Sequence, residues 1–116
     1  MQMKLIVALV PDDRTAHIID AAREAGATGA TVITSVRGEG LKPQKTFLGL
    51  ELTSMRNVLL FLVAEPRARK ILERIRDAGQ FDIEPGAGVA FQIAIEDAVG
   101  LHTQLPSIMK ELEEDA

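Results

Sequence analysis

Three stretches of this chain are apolar at nearly every position: residues 3–10 (MKLIVALV), 58–64 (VLLFLVA) and 89–95 (VAFQIAI, with Gln92 its polar member). Short runs of this kind, rich in Ile and Val, predict strands with little exposure on either face. Between them the period lengthens. Ile18, Ile19, Ala22 and Ala25 recur at helical spacing, with Asp12 or Asp13 as the cap and Gly26 as the stop. Ile71, Leu72 and Ile75 form the stripe of a second helix, with Pro66 in its first turn and Gly79 just past its end. Residues 31–36 (TVITSV) are β-branched and predict a strand. Residues 50–53 either extend the strand that follows or form a small strand within a loop, and residues 81–88 are a loop. After Gly100 a short tail helix is expected from Pro106, with Leu105, Ile108, Met109 and Leu112 on one face. Glu111, Glu113, Glu114 and Asp115 crowd its last turn, which opposes the helix dipole.

The order is β-α-β, loop, β-α-β. Two such units in one 116-residue domain predict an α+β, ferredoxin-like βαββαβ fold with an antiparallel four-stranded sheet and a short C-terminal helix. Two helices shield one face of such a sheet, and a solvated second face would alternate polar and apolar positions. These strands do not alternate, so the second face needs a cover. The tail has a single apolar stripe, which favours other subunits arranged as a closed ring.

Composition narrows the function classes. A net charge of −4 argues against general nucleic-acid binding, since a phosphate-tracking surface wants a positive balance. The absence of Cys removes disulfide and thiolate chemistry and fits a cytoplasmic setting. No apolar run approaches the ~20 residues that span a bilayer. The opening MQMKLIVALVPDD has no small-residue cleavage site and reads as a strand rather than a signal peptide.

Catalytic and metal candidates are few. His17 and His102 are isolated, and no His-x-x-x-His or Glu-x-x-His spacing occurs. Glu96-Asp97 is a possible carboxylate pair but reads as a solvated strand end. No catalytic residue and no metal ligand is expected. Two glycine clusters are more informative: Arg37-Gly38-Glu39-Gly40 after the second strand, and Glu84-Pro85-Gly86-Ala87-Gly88 before the last. Glycine lets backbone amides approach an anion, with Arg37, Lys42 or Lys45 supplying charge; plain turns explain the same residues. The loop between the two halves also carries Leu41, Phe47 and Leu48, apolar residues suited to burial in a partner. Long loops on rigid scaffolds commonly carry function.

The chain resembles the PII signal-transduction family over roughly residues 3–100. The resemblance is carried by AGATG at residues 25–29, by GEG at residues 38–40 where the family's T-loop begins, by VLLFLVAEPRARKILERI after that loop, and by EPGAGVAFQIAIEDAV, similar to the family's B-loop and following strand. It implies a single PII-like domain over residues 1–116, with a T-loop-like segment at 37–56, a B-loop-like segment at 80–89 and a tail at 97–116. It further implies a non-enzymatic homotrimer, with a small effector (ATP, ADP or AMP, or a carboxylate metabolite) in clefts between subunits and no required cofactor. The T-loop would engage a membrane transporter or a metabolic enzyme. On this resemblance Arg37, Gly38, Glu39, Gly40, Lys42, Gly86, Ala87, Gly88 and Val89 are the ligand-binding candidates, and Leu41, Lys45, Phe47 and Leu48 the partner-binding ones.

The chain also departs from the family. It has no Tyr in the loop or elsewhere. Leu41-Lys42 stands where the family has Arg-Gln, and Val89 stands where the B-loop has a phosphate-binding lysine. Asp97, Ala98, Val99 and Gly100 replace a basic segment. These departures imply a weaker preference for highly charged nucleotides. Two other readings fit the same fold: a trimeric protein of the divalent-cation tolerance type, disfavoured by the missing Cys and scarce His, and a small acylphosphatase-like enzyme, which would need Arg37 and Asn57 brought together.

Overall fold

The computed structural model describes residues 2–36, 46–47, 50–51 and 56–101. Strand β1 (Met3–Pro11) leads through a single 3-10 turn (Asp12–Arg14) into helix α1 (Thr15–Glu24), and β2 (Thr31–Val36) follows. Two short strands, β3 (Thr46–Phe47) and β4 (Leu50–Glu51), pair only with each other. Strand β5 (Arg56–Ala64), helix α2 (Glu65–Gly79) and strand β6 (Val89–Ala94) complete the second half. The main sheet has the order β2-β5-β1-β6, with every neighbouring pair antiparallel. This is the expected ferredoxin-like α+β architecture, and the small strand at Leu50 belongs to the loop rather than to β5. The expected tail helix lies outside the described residues.

One face of the sheet carries the helices. Ile6, Ala8 and Val10 of β1 and Leu59, Phe61 and Val63 of β5 are buried against Ile18 and Ala22 of α1 and Ala68, Ile71 and Ile75 of α2. The other face is also apolar, and no helix among the described residues covers it. Cross-strand register places Val7 beside Leu60 and Phe91, Leu5 beside Leu62 and Ile93, and Ile33 beside Val58. Phe91 and Ile93 remain 46% and 47% exposed. Among the described residues the expected burial of both faces therefore holds for the helix face alone. The segment after β6 turns back over one end of the open face. There Ile95 and Leu101 pack with Leu62 on buried Met3 and Ala64, and the Ile95 amide donates to Met3 O at 3.3 Å.

Both helix ends are shaped by backbone geometry. At α1 the Ala27 amide donates to Ala22 O (2.9 Å) and the Gly26 amide to Arg23 O (3.0 Å), with Gly26 at φ 117°, a Schellman ending. The buried Arg67 of α2 lies over Gly26, and its Nη1 donates to Ala25 O at 3.4 Å. At α2 the same motif uses Gln80 in the left-handed region (φ 56°), with Phe81 N donating to Arg76 O at 3.1 Å. Gly79, expected just past the helix end, is instead its last residue. The Phe81 ring packs where a Gly79 side chain would stand, so glycine is needed there for close approach. The expected Asp12 or Asp13 cap is likewise replaced. Helix α1 begins at Thr15 with Arg14 as N-cap and no side-chain capping bond, because Asp12 and Asp13 belong to the 3-10 turn.

Candidate functional site

Strand β5 starts two residues earlier than its apolar run predicts. Arg56 and Asn57 extend it because β1 is nine residues long, and its last residues, Val10 and Pro11, pair with Asn57 and Arg56. Both polar side chains are buried. Asn57 Nδ2 donates to Asp12 Oδ1 (2.9 Å) and to Thr15 Oγ1 (2.7 Å), and the Thr15 hydroxyl donates to Pro11 O (3.1 Å). The turn after β1 is thereby tied to the arm through which the chain returns from the 37–55 segment.

The loop after α2 sits against the same turn. Arg14 Nη1 donates to Gly79 O at 2.8 Å, and Arg14 Nη2 pairs with Glu84 Oε2 at 2.6 Å. The loop is internally bonded: the Ile83 and Glu84 amides donate to Gln80 O, and the Ala87 amide to Glu84 O. Gly86 takes φ 75°, which the turn requires. Gly88 takes φ 151°, and a side chain there would meet Leu9 O at 2.8 Å and the Phe81 ring. Phe81 is thus seated between Gly79 and Gly88, and this fixes the loop on the end of the sheet.

A cavity of about 450 Å³ opens where these parts meet, lined by Pro11, Asp12, Asp13, Arg14, Arg56, Glu84, Pro85, Gly86 and Ala87. Of the expected ligand residues, Gly86 and Ala87 line it. Ala87 is buried with its amide committed to the turn, so it shapes the loop. Gly88 and Val89 face a second cavity of about 280 Å³ against α2, lined also by Arg69, Leu72, Glu73, Arg76, Phe81, Asp82 and Ala90. There Arg76 is held above its ordinary pKa by its hydrogen bond to Asp77 and by the charges of Asp77, Glu73 and Asp82. The remaining ligand candidates, Arg37, Gly38, Glu39, Gly40 and Lys42, lie outside the described residues, as do the partner candidates Leu41, Lys45 and Leu48. Phe47 lies in β3.

Sequence reasoning missed Arg14 as a residue of this region and placed Arg56 among the basic residues of the loop rather than in a strand. The signal for Arg56 was the length of β1, which demands a partner strand of equal length; nothing local marks Arg14. A third recess, of about 300 Å³, lies on the β2 edge between Thr28, Gly29, Ala30, Thr31, Leu60 and Leu62. The β2–β5 ladder begins at Thr31 opposite Leu60, so the β5 edge beyond Leu60 lies outside that ladder. Among the described residues no group of three or more His, Cys, Asp or Glu side chains is arranged to hold a metal ion. No helix among them is long and apolar enough to cross a membrane.

The family model of the nitrogen regulatory protein P-II matches residues 3–104. The chain belongs to the P-II family. A search of curated protein sequences returns no match. Among solved structures, this P-II chain is similar to CPII from Thiomonas intermedia K12, solved with ADP, AMP and acetate bound. The two share a TM-score of 0.61 and 18% identity over 83% of this chain and 90% of that one. It is also similar to a protein assigned as PII-like and signaling, from Thermus thermophilus, at a TM-score of 0.60 and 20% identity over 82% and 87% of the two chains. At these identities the likeness establishes the fold.

Proposed function

We propose that this P-II protein is a cytoplasmic, non-enzymatic homotrimer that binds an adenine nucleotide between subunits and regulates a target through residues 37–56. The observation that carries the reading is the apolar sheet face that no described helix covers, bordered by the recess at Thr28–Thr31 on one edge and the glycine loop on the other. Burying that face against two further copies removes the apolar surface from water, at roughly 25 cal/mol per Å². It also brings the β2 edge of one copy towards the loop of the next.

The recess suits a flat base. Leu60 and Leu62 offer an apolar floor, Thr31 a hydroxyl, and the strand edge backbone amides and carbonyls. The phosphates would then run towards the glycine loop, with Arg37, Gly38, Glu39, Gly40 and Lys42 completing the site. Val89 gives no charge where the family has a lysine, and one missing charge-assisted hydrogen bond is worth about 1.5–3 kcal/mol. ADP and AMP are therefore expected to compete well with ATP, and the nucleotides bound in the CPII structure support this. Leu41, Lys45, Phe47 and Leu48 would form the contact with the target, a membrane transporter or a metabolic enzyme.

Light scattering and calorimetry with ATP, ADP and AMP test the reading together. A trimer mass at micromolar concentration, with AMP or ADP bound at least as well as ATP, is the expected result. A monomer mass, or tight ATP binding with clear preference over AMP, would overturn it.

A further inference from the structure

Helix α2 has a second face beside its buried one. Ala68, Ile71 and Ile75 enter the core, whereas Arg69, Leu72, Glu73 and Arg76 recur at i, i+3, i+4 and i+7 along the side next to β6. There they line the cavity of about 280 Å³. Its floor and its rim differ in chemistry. Leu72, Phe81 and Ala90 are half-buried and pack on the core, so the floor is apolar and held in place. The rim carries both signs in equal number, Arg69 and Arg76 against Glu73 and Asp82. These groups are only partly committed to one another. Arg69 meets Glu73 Oε1 through Nε at 2.7 Å, and Arg76 meets Asp77 (3.0 Å) and Asp82 (3.8 Å), also through Nε. Among the described residues the Nη atoms of both guanidinium groups and Oε2 of Glu73 make no bond.

We propose that this cavity binds a free α-amino acid with an apolar side chain. The carboxylate would take the Nη atoms of Arg76, the ammonium group Oε2 of Glu73, and the side chain the floor of Leu72, Phe81 and Ala90. Arg76 and Glu73 stand three residues apart, the spacing at which helix side chains are neighbours. An amino acid carries its two charges on one carbon, so it can reach both. An anion alone would also face Glu73, Asp77 and Asp82, and a cation alone would face two guanidinium groups. A ligand with both signs meets the rim without a like-charge clash. The rim pairs are partly solvated and cost little to rearrange, whereas an arginine–carboxylate fork adds strength and direction. Size points the same way: drug-sized ligands fill roughly 300–1,000 Å³, and this cavity lies just under that range. The site is on the helix side of the sheet, away from the open face at Phe91 and Ile93, and it does not draw on the nucleotide reading.

Amide NMR spectra of the full-length protein, titrated with L-leucine in the absence of nucleotide, test this. Leucine should bind with a dissociation constant of about 1 mM and move the resonances of residues 69–76, 81–82 and 88–90. Isocaproate, which lacks the ammonium group, isoamylamine, which lacks the carboxylate, and glycine, which lacks the side chain, should each bind roughly tenfold more weakly. Arg76→Gln and Glu73→Gln, both on the solvated side of α2, should keep the wild-type far-UV spectrum and weaken leucine by roughly fivefold. Four results overturn the proposal: no shift at millimolar leucine, shifts confined to other residues, isocaproate binding as well as leucine, or wild-type affinity in either variant. Because the titration contains no nucleotide, it decides this site whether or not adenine nucleotides bind elsewhere.

Discussion

The two faces of the central sheet are made from the same strands and nearly the same residue types, yet they stand in different surroundings. Phe61 on the helix face is fully buried, while Phe91 on the opposite face is 46% exposed. Ile6, Ala8 and Val10 are enclosed, and their neighbours Leu5, Val7 and Leu9 are only half-buried. Amino-acid type therefore does not distinguish the face that the two described helices cover from the face they leave open. Among the described residues two helices cover one face, and the segment at Ile95 and Leu101 reaches one end of the other.

A charge placed on each face breaks the comparison most sharply. Phe61→Asp should leave no folded protein, because an unpaired carboxylate would be sealed among α1, α2 and the sheet. Phe91→Asp and Leu60→Asp should instead keep the far-UV spectrum and lose the assembly, giving a monomer by light scattering. If both classes of variant unfold, folding and assembly are one event and the faces are energetically equivalent. Neutral truncation sharpens the contrast. Phe61→Ala should cost about 3–5 kcal/mol in urea unfolding. In a Leu60→Asp monomer, Phe91→Ala should cost about 1 kcal/mol or less, since half its surface is already in water.

That contrast also separates what was legible in the sequence from what was not. Strand β2 ran as its β-branched pattern predicts, and Ile18, Ala22, Ile71 and Ile75 were readable as helix stripes, because periodicity is a local property. The missing alternation correctly pointed to an apolar second face. Arg56 and Asn57 escaped because their place in a strand is set by Pro11 and Val10, far away in sequence. Asp12 looked like a helix cap, but its carboxylate is used by Asn57, a partner no local pattern announces. Of the glycines, Gly86 was readable as a turn residue. Gly79 and Gly88 answer to Phe81, whose ring they jointly accommodate. Of the lining of the cavity beside the turn, residues 84–87 were legible as a glycine loop and Arg14 was not, because Arg14 meets that loop only in the folded chain.

A smaller effect is expected at the junction of the two helices, which belongs wholly to the covered face. Gly26 combines φ 117° with the Arg67 guanidinium lying where a side chain would go. Gly26→Ala should cost about 1–3 kcal/mol through backbone conformation alone, and displacement of Arg67 from Ala25 O should add to it. The trimer should persist, because Gly26 packs against Arg67 of α2 on the helix side of the sheet. A thermal melt checks the first point, and a mass measurement below the transition checks the second. Unchanged stability would mean that the α1 ending relaxes without involving Arg67.

The smallest effect on stability should come from the 37–56 segment. Strands β3 and β4 pair with each other and add nothing to the main sheet, whose order is complete without them. The described core likewise draws on residues before 37 and after 56. Deleting residues 42–48 should therefore leave the trimer intact and the melting temperature nearly unchanged, while abolishing capture of the target. Gly38→Val or Gly40→Val should act differently and disturb ligand binding, because a β-branched side chain narrows the backbone freedom that glycine allows. The deletion variant is the informative one. If it keeps its mass and its melt but loses its target, the segment is an effector arm on a self-sufficient scaffold. If it dissociates into monomers, residues 42–48 help cover the open face. The division between a covered and an uncovered side of the sheet would then have to be redrawn with the loop as part of the cover.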